Sequence, residues 1–296
     1  MKTIEMRAAG LALISIALAA GLSNPLGHWL YPAQGWELTY EQRGGSDDGD
    51  SESPSQRIQK NGNGLDLEYG FLSFERDRLL AKFHLNAKDI QDSYEEFGYL
   101  DNDLDRLGGD NQAEFFMSKG FKLLRSDTVS ADIPALVQRN YPRLLPLALE
   151  FERIRKEHEY GPWDTIGAVT AMVQTSVVYQ VPPRQEGDKH IGGVLPPPVA
   201  LARGWGDCDT KSAILGAIMS NWDGVYAVGV GLPGHYLIGI QGVPSRGDAY
   251  VERKGSTYVL IEAAGPAWSP PGNVSEQTLA KLSLTQGVSI EPFWQE

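Results

Sequence analysis

The 296-residue chain contains a single cysteine, Cys208. One cysteine excludes a small fold stapled by internal disulfides. The sequence also lacks a paired-histidine motif and a glycine-rich phosphate loop, so it implies neither a metal nor an organic cofactor. A lone thiol is either an inert buried group or a nucleophile, and the residues around it determine which of the two it is.

Positive charge is scarce in this chain. Lys and Arg together number 26 against 38 Asp and Glu, which gives a net charge of −12. A chain this acidic lacks the basic surface that binds nucleic acid. Anionic lipid surfaces would also repel it, apart from any hydrophobic anchor. We therefore expect no nucleic-acid partner, and membrane contact only through an apolar segment.

No candidate membrane span appears in the sequence beyond the one near the N-terminus. Lys2 and Arg7 precede residues 8–22, which carry no charge and are mostly apolar. A positive start and a short apolar run predict a signal peptide, with Ala17-Leu18-Ala19 as the candidate cleavage site. An uncleaved membrane anchor and a buried N-terminal helix are the alternatives. The first two place the rest of the protein outside the cytoplasm, whether secreted, periplasmic or membrane-anchored.

Shifts in composition divide the chain into three parts. Residues 1–30 are the signal peptide or anchor, and residues 31–160 alternate strand and helix patterns, which predicts a mixed β/α N-terminal region. Tyr160-Gly161-Pro162 is a boundary signal, so residues 161–296 form the next domain. This last part holds Cys208 and therefore any chemistry that the thiol performs.

Residues 86–114 carry nine acidic residues against two basic ones. This cluster raises the alternative of a calcium-sensing envelope protein. A calcium loop that starts at Asp103 has Leu107 at a ligand position, and one that starts at Asp101 has Arg106 where the loop needs glycine. A solvated acidic face is therefore the default interpretation.

Cys208 lies at the start of a predicted helix. The residues after it, 210–218, are mostly apolar, and Asp207 or Asp209 can cap the helix N-terminus. Backbone amides at that end favour a thiolate and can also bind an oxyanion. The flanking carboxylates oppose the thiolate, so position alone does not decide whether the thiol is activated.

Two features upstream of the cysteine bear on the same site. Residues 181–205 are rich in Pro and Gly and are longer than a simple connection requires. We expect this stretch to form one wall of a cleft around Cys208, with Trp205 at its rim. Gln174 lies within a helical pattern, and it could face an oxyanion, although a position on the helix surface is the expected one.

A cysteine nucleophile needs a base, and His235 is the candidate among the five histidines. Residues 224–232 predict a strand, Pro233-Gly234 a turn, and a second strand begins at His235. The apolar strand 256–262 ends in Glu262, which a neighbouring antiparallel strand would place beside the imidazole. The alternatives are a hydrogen-bonded turn histidine and a surface acid at a strand end.

These residues resemble the transglutaminase-like cysteine enzyme superfamily. The resemblance lies in Gly206-Asp207-Cys208, in Gly234-His235, and in the strand Tyr258-Val259-Leu260-Ile261-Glu262, within roughly 160–275. It implies an α+β fold with a papain-like transglutaminase core, in which the helix bearing the cysteine packs on an antiparallel sheet. It also implies Cys208 as nucleophile, His235 as base and Glu262 as orienting acid. Val173-Gln174 followed by Tyr179 resembles the helix before that family's catalytic loop.

Two departures from the family pattern concern the acid. It is Glu where the family usually has Asp, and 27 residues separate it from His235, which predicts an added hairpin near 247–250. The expected activity is that of a thiol acyl-enzyme hydrolase or transferase acting on peptide or carboxamide bonds. A protease or amidase with a peptide or protein substrate is preferred over a crosslinking transglutaminase. The alternative is a non-catalytic, transglutaminase-like binding module of the cell envelope.

Overall fold

The computed structural model describes residues 3–5, 37–38, 54–105, 111–125, 128–265, 267–284 and 287–294. These residues form a mixed α+β fold, in agreement with the predicted class. The candidate signal peptide or anchor, 1–30, lies outside the described residues except for the short strand at 3–5. Within the described part of the chain, no helix is both long and apolar enough to cross a membrane.

The described strands and helices follow one another in mixed order. The strands are β1 (Thr3–Glu5), β2 (Glu37–Leu38), β3 (Ser55–Asn61), β4 (Gly64–Leu72), β5 (Arg78–Asn86), β6 (Tyr99–Leu100), β7 (Phe121–Arg125), β8 (Thr128–Ala131), β9 (Val178–Tyr179), β10 (Gln185–Glu186), β11 (Lys189–His190), β12 (Trp205–Gly206), β13 (Ala227–Leu232), β14 (His235–Gln241), β15 (Tyr250–Arg253), β16 (Ser256–Ile261) and β17 (Ser289–Pro292). The helices are α1 (Ala87–Glu96), α2 (Asp101–Asp105), α3 (Gln112–Ser118), α4 (Ile133–Asn140), a 3-10 turn (Tyr141–Leu144), α5 (Leu145–Glu157), α6 (Pro162–Thr175), α7 (Pro197–Arg203), α8 (Cys208–Met219) and α9 (Glu276–Ser283).

The N-terminal region is built on an antiparallel sheet with the order β2-β3-β4-β5. Strand β5 buries every second residue, and helix α5 packs against it. The hydroxyl of Tyr69, on β4, donates to the carbonyl of Leu201 on α7 (2.8 Å). One buried cluster of side chains runs from Leu67 to Phe293 and therefore includes residues from both sides of position 160. The N-terminal region and the rest of the chain thus share a core.

The second large sheet is antiparallel, with the order β15-β16-β14-β13-β17. The predicted turn at Pro233-Gly234 joins β13 to β14, and Leu232 pairs with His235 across it. The hairpin expected from the long gap before Glu262 is present as β15 paired with β16. Because β16 also pairs with β14, Glu262, which directly follows β16, lies next to the strand that begins with His235.

Helix α8 packs on this sheet against β14 and β13, and all twelve of its residues are buried. Helices α4, α6 and α7 enclose its other sides. A helix that is apolar on nearly every side has to be covered by other elements on all of those sides. Cys208 is thereby fixed at one end of the most enclosed helix of the described structure.

The stretch 181–205 has more regular structure than its Pro and Gly content predicts. It contains β10, β11 and α7, and residues 191–201 are buried. The valine, leucine and isoleucine side chains within 191–201 join the main core, and the amide of Leu195 donates to Thr210 Oγ1 in the first turn of α8 (3.1 Å). This segment is a packed wall beside the cysteine helix, because its apolar residues outweigh the turn signals of its glycines and prolines.

Replacing Gly216 by Ala tests how tightly α8 is enclosed. A Cβ atom at Gly216 would lie 2.6 Å from Cε2 of Phe293 and 2.9 Å from Cγ2 of Val137, and both of these side chains are fully buried. We expect Gly216→Ala to lower the free energy of unfolding by about 1–3 kcal/mol in urea titrations. The better helix propensity of Ala, about 1 kcal/mol, should not offset this loss.

Gly167→Ala in α6 is the matched control. Its Cβ would meet only the half-buried ring of Phe74, at 3.2 Å, and that ring has room to shift. We expect a change within about 1 kcal/mol, of either sign. Equal stability of the two variants would contradict the close packing of α8.

Candidate active site

The local sequence around Cys208 builds a sharp entry into α8. Asp207 is the N-cap, and its carboxylate accepts from the amide of Thr210 (3.2 Å). Gly206 pairs in parallel with Tyr179 through β12 and β9. A Cβ atom at Gly206 would lie 2.4 Å from Cγ2 of Thr210, so glycine is required there. The structure thus assigns Asp207, of the two candidate caps, and sets Cys208 as the first residue of the helix.

The Cys208 thiol is buried and protonated. Its Sγ donates to Oδ1 of Asp209 (3.5 Å). Burial, reinforced by the negative charges of Asp209 and Asp207, raises the pKa of the Cys208 thiol to about 12. The helix N-terminus favours the thiolate, but desolvation and two adjacent carboxylates outweigh it. The resting thiol at neutral pH is therefore not an activated one.

His235 and Glu262 form the closest pair among the predicted site residues. Nε2 of His235 lies 2.9 Å from Oε1 and 3.0 Å from Oε2 of Glu262. Ile238 pairs with Ile261, so the same register sets Glu262 near the start of β14, diagonal to His235. Both side chains are largely buried, at 15% and 8% exposure, which strengthens their interaction.

Two further groups hold the Glu262 carboxylate. Thr278 Oγ1 donates to Oε2 (3.2 Å), and the amide of Ala264 donates to Oε1 (3.3 Å). Thr278 is buried on α9, whose N-cap Ser275 accepts from the amide of Thr278. Thr278 is not among the residues predicted from the sequence. Ser275 is recognisable as a helix cap, but nothing near it in the sequence points to a distant carboxylate.

Helix α8 brings Cys208 towards the start of β14. Ser212, one turn after Cys208 on the same helix face, donates through Oγ to the carbonyl of Tyr236 (3.2 Å), next to His235. Burial, and then the charges of Cys208, Asp207, Asp209 and Glu262, raise the pKa of Tyr179. The phenol of Tyr179 therefore interacts electrostatically with both the cysteine end and the acid end of the site.

The thiol and the imidazole nevertheless do not meet directly. Within the described chain, Sγ of Cys208 bonds to Asp209 and makes no hydrogen bond to His235. Strand alternation explains this, because Tyr236 belongs to the main core beneath α8, whereas Leu237 belongs to a second cluster on the other face. His235 is the first residue of β14 and lies two residues before Leu237, so its side chain is on the same face of the strand as that of Leu237. The structure thus joins His235 to Glu262 and leaves Cys208 close by but separate.

Gln174 occupies neither of its two predicted environments. It is buried, and it does not face the thiol. Its side-chain amide donates to the carbonyl of Glu262 (2.6 Å) and exchanges two hydrogen bonds with the backbone of Ser269. The expected surface position on α6 was wrong because the segment after β16 packs over this face of the helix.

Lys211 is a second buried residue that the sequence analysis did not single out. It is fully buried on α8, and its Nζ donates to the carbonyl of Gln174 (3.2 Å). Burial lowers the pKa of Lys211 to about 7. A lysine inside an apolar helix pattern is a recognisable signal, but its partner is not predictable from local sequence.

The described residues hold no group of three or more side chains arranged as metal ligands. Three other histidines pair with single acids: His84 with Asp66, His158 with Asp77 and His190 with Asp101. A cavity of about 240 Å³ lies near the other end of α6, lined by Trp163, its neighbours on that helix, and Pro270-Pro271 among others. Cys208 does not line it, so the cavity and the candidate site are distinct.

Comparison of the chain with protein-family models, curated proteins and solved structures finds no match in any of the three. The candidate site therefore rests on its own geometry and chemistry.

Replacing Lys211 by Met should change how stability depends on pH. The pKa of the amine falls from 10.5 to about 7 on folding, so the unfolded chain binds more protons between these values. Burying the lysine therefore costs most at pH 7 and below, and the cost fades as the pH rises towards 10.5. We expect the stability advantage of Lys211→Met over wild type to grow by about 1 kcal/mol per pH unit from about pH 10 down to 7, then level off.

The measurement is urea unfolding of both proteins at several pH values. Lys82→Met, at an exposed lysine paired with Glu68, is the control and should differ from wild type by a constant amount. A pH-independent difference between Lys211→Met and wild type would show that the buried amine keeps its ordinary pKa.

Proposed function

We propose that this protein is a thiol acyl-enzyme hydrolase or transferase acting on peptide or carboxamide bonds. Cys208 is the nucleophile, His235 the base and Glu262 the acid that orients the imidazole. The observation that carries the proposal is the buried contact between Nε2 of His235 and Glu262, at 2.9 and 3.0 Å. A histidine held by a carboxylate can serve as the base that a thiol nucleophile needs, and helix α8 brings Cys208 towards the start of the same strand.

The tautomer of His235 supports the assignment of roles. A carboxylate bonded to Nε2 favours the proton on that nitrogen, which leaves the lone pair of Nδ1 free to accept a proton. The thiol of Cys208 is protonated at rest, so it must lose its proton as the reaction proceeds. Sγ would exchange its bond to Asp209 for one to Nδ1, and the imidazole would act as a general base.

The proposed reaction then has two steps. The sulfur attacks the substrate carbonyl while its proton passes to His235, and backbone amides at the start of α8 stabilise the oxyanion. The imidazolium returns the proton to the leaving amine as the carbon–nitrogen bond breaks, which yields a thioester on Cys208. Water or a second amine then attacks the thioester. Hydrolysis is preferred over crosslinking because it needs no second substrate site.

A papain-like transglutaminase core belongs to the same proposal. Its support is the packing of α8 on an antiparallel sheet, with the base on β14 and the acid directly after the adjacent strand β16. The short hairpin β15–β16 accounts for the long spacing between His235 and Glu262. An extracytoplasmic location and anchoring by residues 1–30 remain predictions of the sequence, as does a peptide or protein partner.

A second candidate function is a non-catalytic binding module. The observation that favours it is the hydrogen bond from Sγ of Cys208 to Asp209, together with the raised pKa of the thiol. A retired enzyme would keep the fold and the His235–Glu262 pair while its cysteine stayed protonated. The two candidates differ in whether the thiol forms a thioester.

Substitution of the three site residues separates these functions. We expect Cys208→Ala to abolish turnover of a pool of fluorogenic peptide amides. Glu262→Gln should lower it on the order of 10⁴-fold, because the carboxylate sets the imidazole tautomer. His235→Gln should be comparably inactive. Intact-mass spectrometry of the quenched wild-type reaction should show an acyl adduct on Cys208, which the Cys208→Ala variant cannot form.

His84→Gln is the matched control, because His84 also pairs with a carboxylate, Asp66, at 2.7 Å on β5. This variant should keep full activity. Turnover that survives Cys208→Ala would overturn the thiol mechanism. Peptide binding without turnover or adduct in wild type would favour the binding module. Incorporation of a fluorescent primary amine into the peptides would show transfer in place of hydrolysis.

A further inference from the structure

The side-chain amide of Gln174 makes all of its hydrogen bonds to one segment of the chain. Gln174 lies in the last full turn of α6 and is 1% exposed. Its Nε2 donates to the carbonyls of Glu262 (2.6 Å) and Ser269 (3.0 Å), and its Oε1 accepts from the amide of Ser269 (3.0 Å). Both N–H groups and the oxygen are therefore used, and their partners fix the orientation of the amide.

The segment that Gln174 holds is the one that carries the acid. It runs from Glu262 to Ser269, and its described residues belong to no helix or strand. Gln174 bonds to both ends, so its amide closes this irregular segment into a loop. The backbone of Glu262 is thus held from α6, while its carboxylate is held from α9 by Thr278 and meets His235.

The backbone of Gln174 is itself fixed by the cysteine helix. Lys211 Nζ donates to the carbonyl of Gln174 (3.2 Å). A Cβ atom at Gly265 would lie 1.9 Å from that same oxygen and 3.1 Å from Nζ. Only glycine therefore allows the acid-bearing segment to come this close to the carbonyl of Gln174. Three parts of the site meet at this carbonyl: α8, α6 and the segment that follows β16.

From these contacts we propose that Gln174 is a positioning residue, which acts on His235 by holding Glu262 in place. The proposal rests on the proposed thiol function. Both carboxylate oxygens of Glu262 lie within 3.0 Å of one imidazole nitrogen, and a pair this close has little tolerance for movement. A displacement of about 1 Å in a catalytic group can cost about 100-fold in rate.

Alkylation of Cys208 by iodoacetamide tests the proposal without a substrate. The chain has one cysteine, so the reaction reports on this thiol alone. The rate constant is measured between about pH 6 and pH 9 for wild type, Gln174→Met, Glu262→Gln and the double variant. We expect Gln174→Met to lower the rate at neutral pH about 10-fold, and Glu262→Gln to lower it about 10–100-fold.

The double variant distinguishes positioning from general stability. If Gln174 acts through Glu262, adding Gln174→Met to Glu262→Gln should change the alkylation rate less than about twofold. The pH profile of Gln174→Met should also shift towards that of Glu262→Gln. Equal losses from Gln174→Met in the wild-type and Glu262→Gln backgrounds would overturn the proposal, because a structural role does not need the carboxylate.

Asn140→Leu is the matched control for the loss of a buried amide. Asn140 is 2% exposed, donates to the carbonyl of Leu136 and accepts from Ser93, away from the site. It should lower the melting temperature about as much as Gln174→Met and leave the alkylation profile unchanged. If Gln174→Met fails to fold, Gln174→Glu replaces it, because a carboxylate can accept from Ser269 but cannot donate to Glu262.

The outcomes separate this proposal from the proposed function. An alkylation rate that falls in Glu262→Gln but not in Gln174→Met overturns the role of Gln174 alone. A rate that is unchanged in Glu262→Gln and in His235→Gln overturns the thiol function, and the positioning role falls with it.

Discussion

The complete burial of helix α8 is the constraint on which the rest of the site depends. A helix with no exposed face must be enclosed by other elements, and here a sheet and three helices do so. Each polar side chain on it then needs an internal partner, because an unbonded buried polar group costs about 1–3 kcal/mol. Thr210, Ser212 and Lys211 meet this need by bonding to three different segments. The hydrogen bonds made by these buried side chains of α8 also connect the segments that form the site.

The same burial sets the chemistry available to Cys208. The first position of a helix favours a thiolate, but the enclosed position removes hydration, and Asp209 and Asp207 add negative charge. A standing ion pair with His235 is therefore disfavoured at rest. In the proposed reaction the imidazole removes the proton only as the sulfur attacks, which makes the alignment of His235 by Glu262 more important than it would be for a preformed thiolate.

Local sequence signals were sufficient for the parts of the site that depend on local geometry. The turn before His235 and the cap before Cys208 follow from residues close to them in the chain, whereas the added hairpin before Glu262 was expected from the spacing relative to the family pattern. Gln174 was not predictable in this way, since a polar residue on a helix looks exposed until the segment that covers it is known. Thr278 was missed for the same reason. The helix and short strands within 181–205 were not predicted, because the apolar residues there find their partners only in the folded core.

The distance along the chain between Gln174 and Glu262, 88 residues, has a consequence for folding kinetics. Contacts between residues so far apart close large loops, and such contacts form late because the entropy of closure is lost before the contact is gained. Helix α6 and hairpin β13–β14 can form early from local interactions, whereas the acid is held only when β16, α6 and α9 have come together. In the proposed mechanism, His235 would therefore be aligned only after the whole core has closed, and a partly folded chain would carry Cys208 without its base in place.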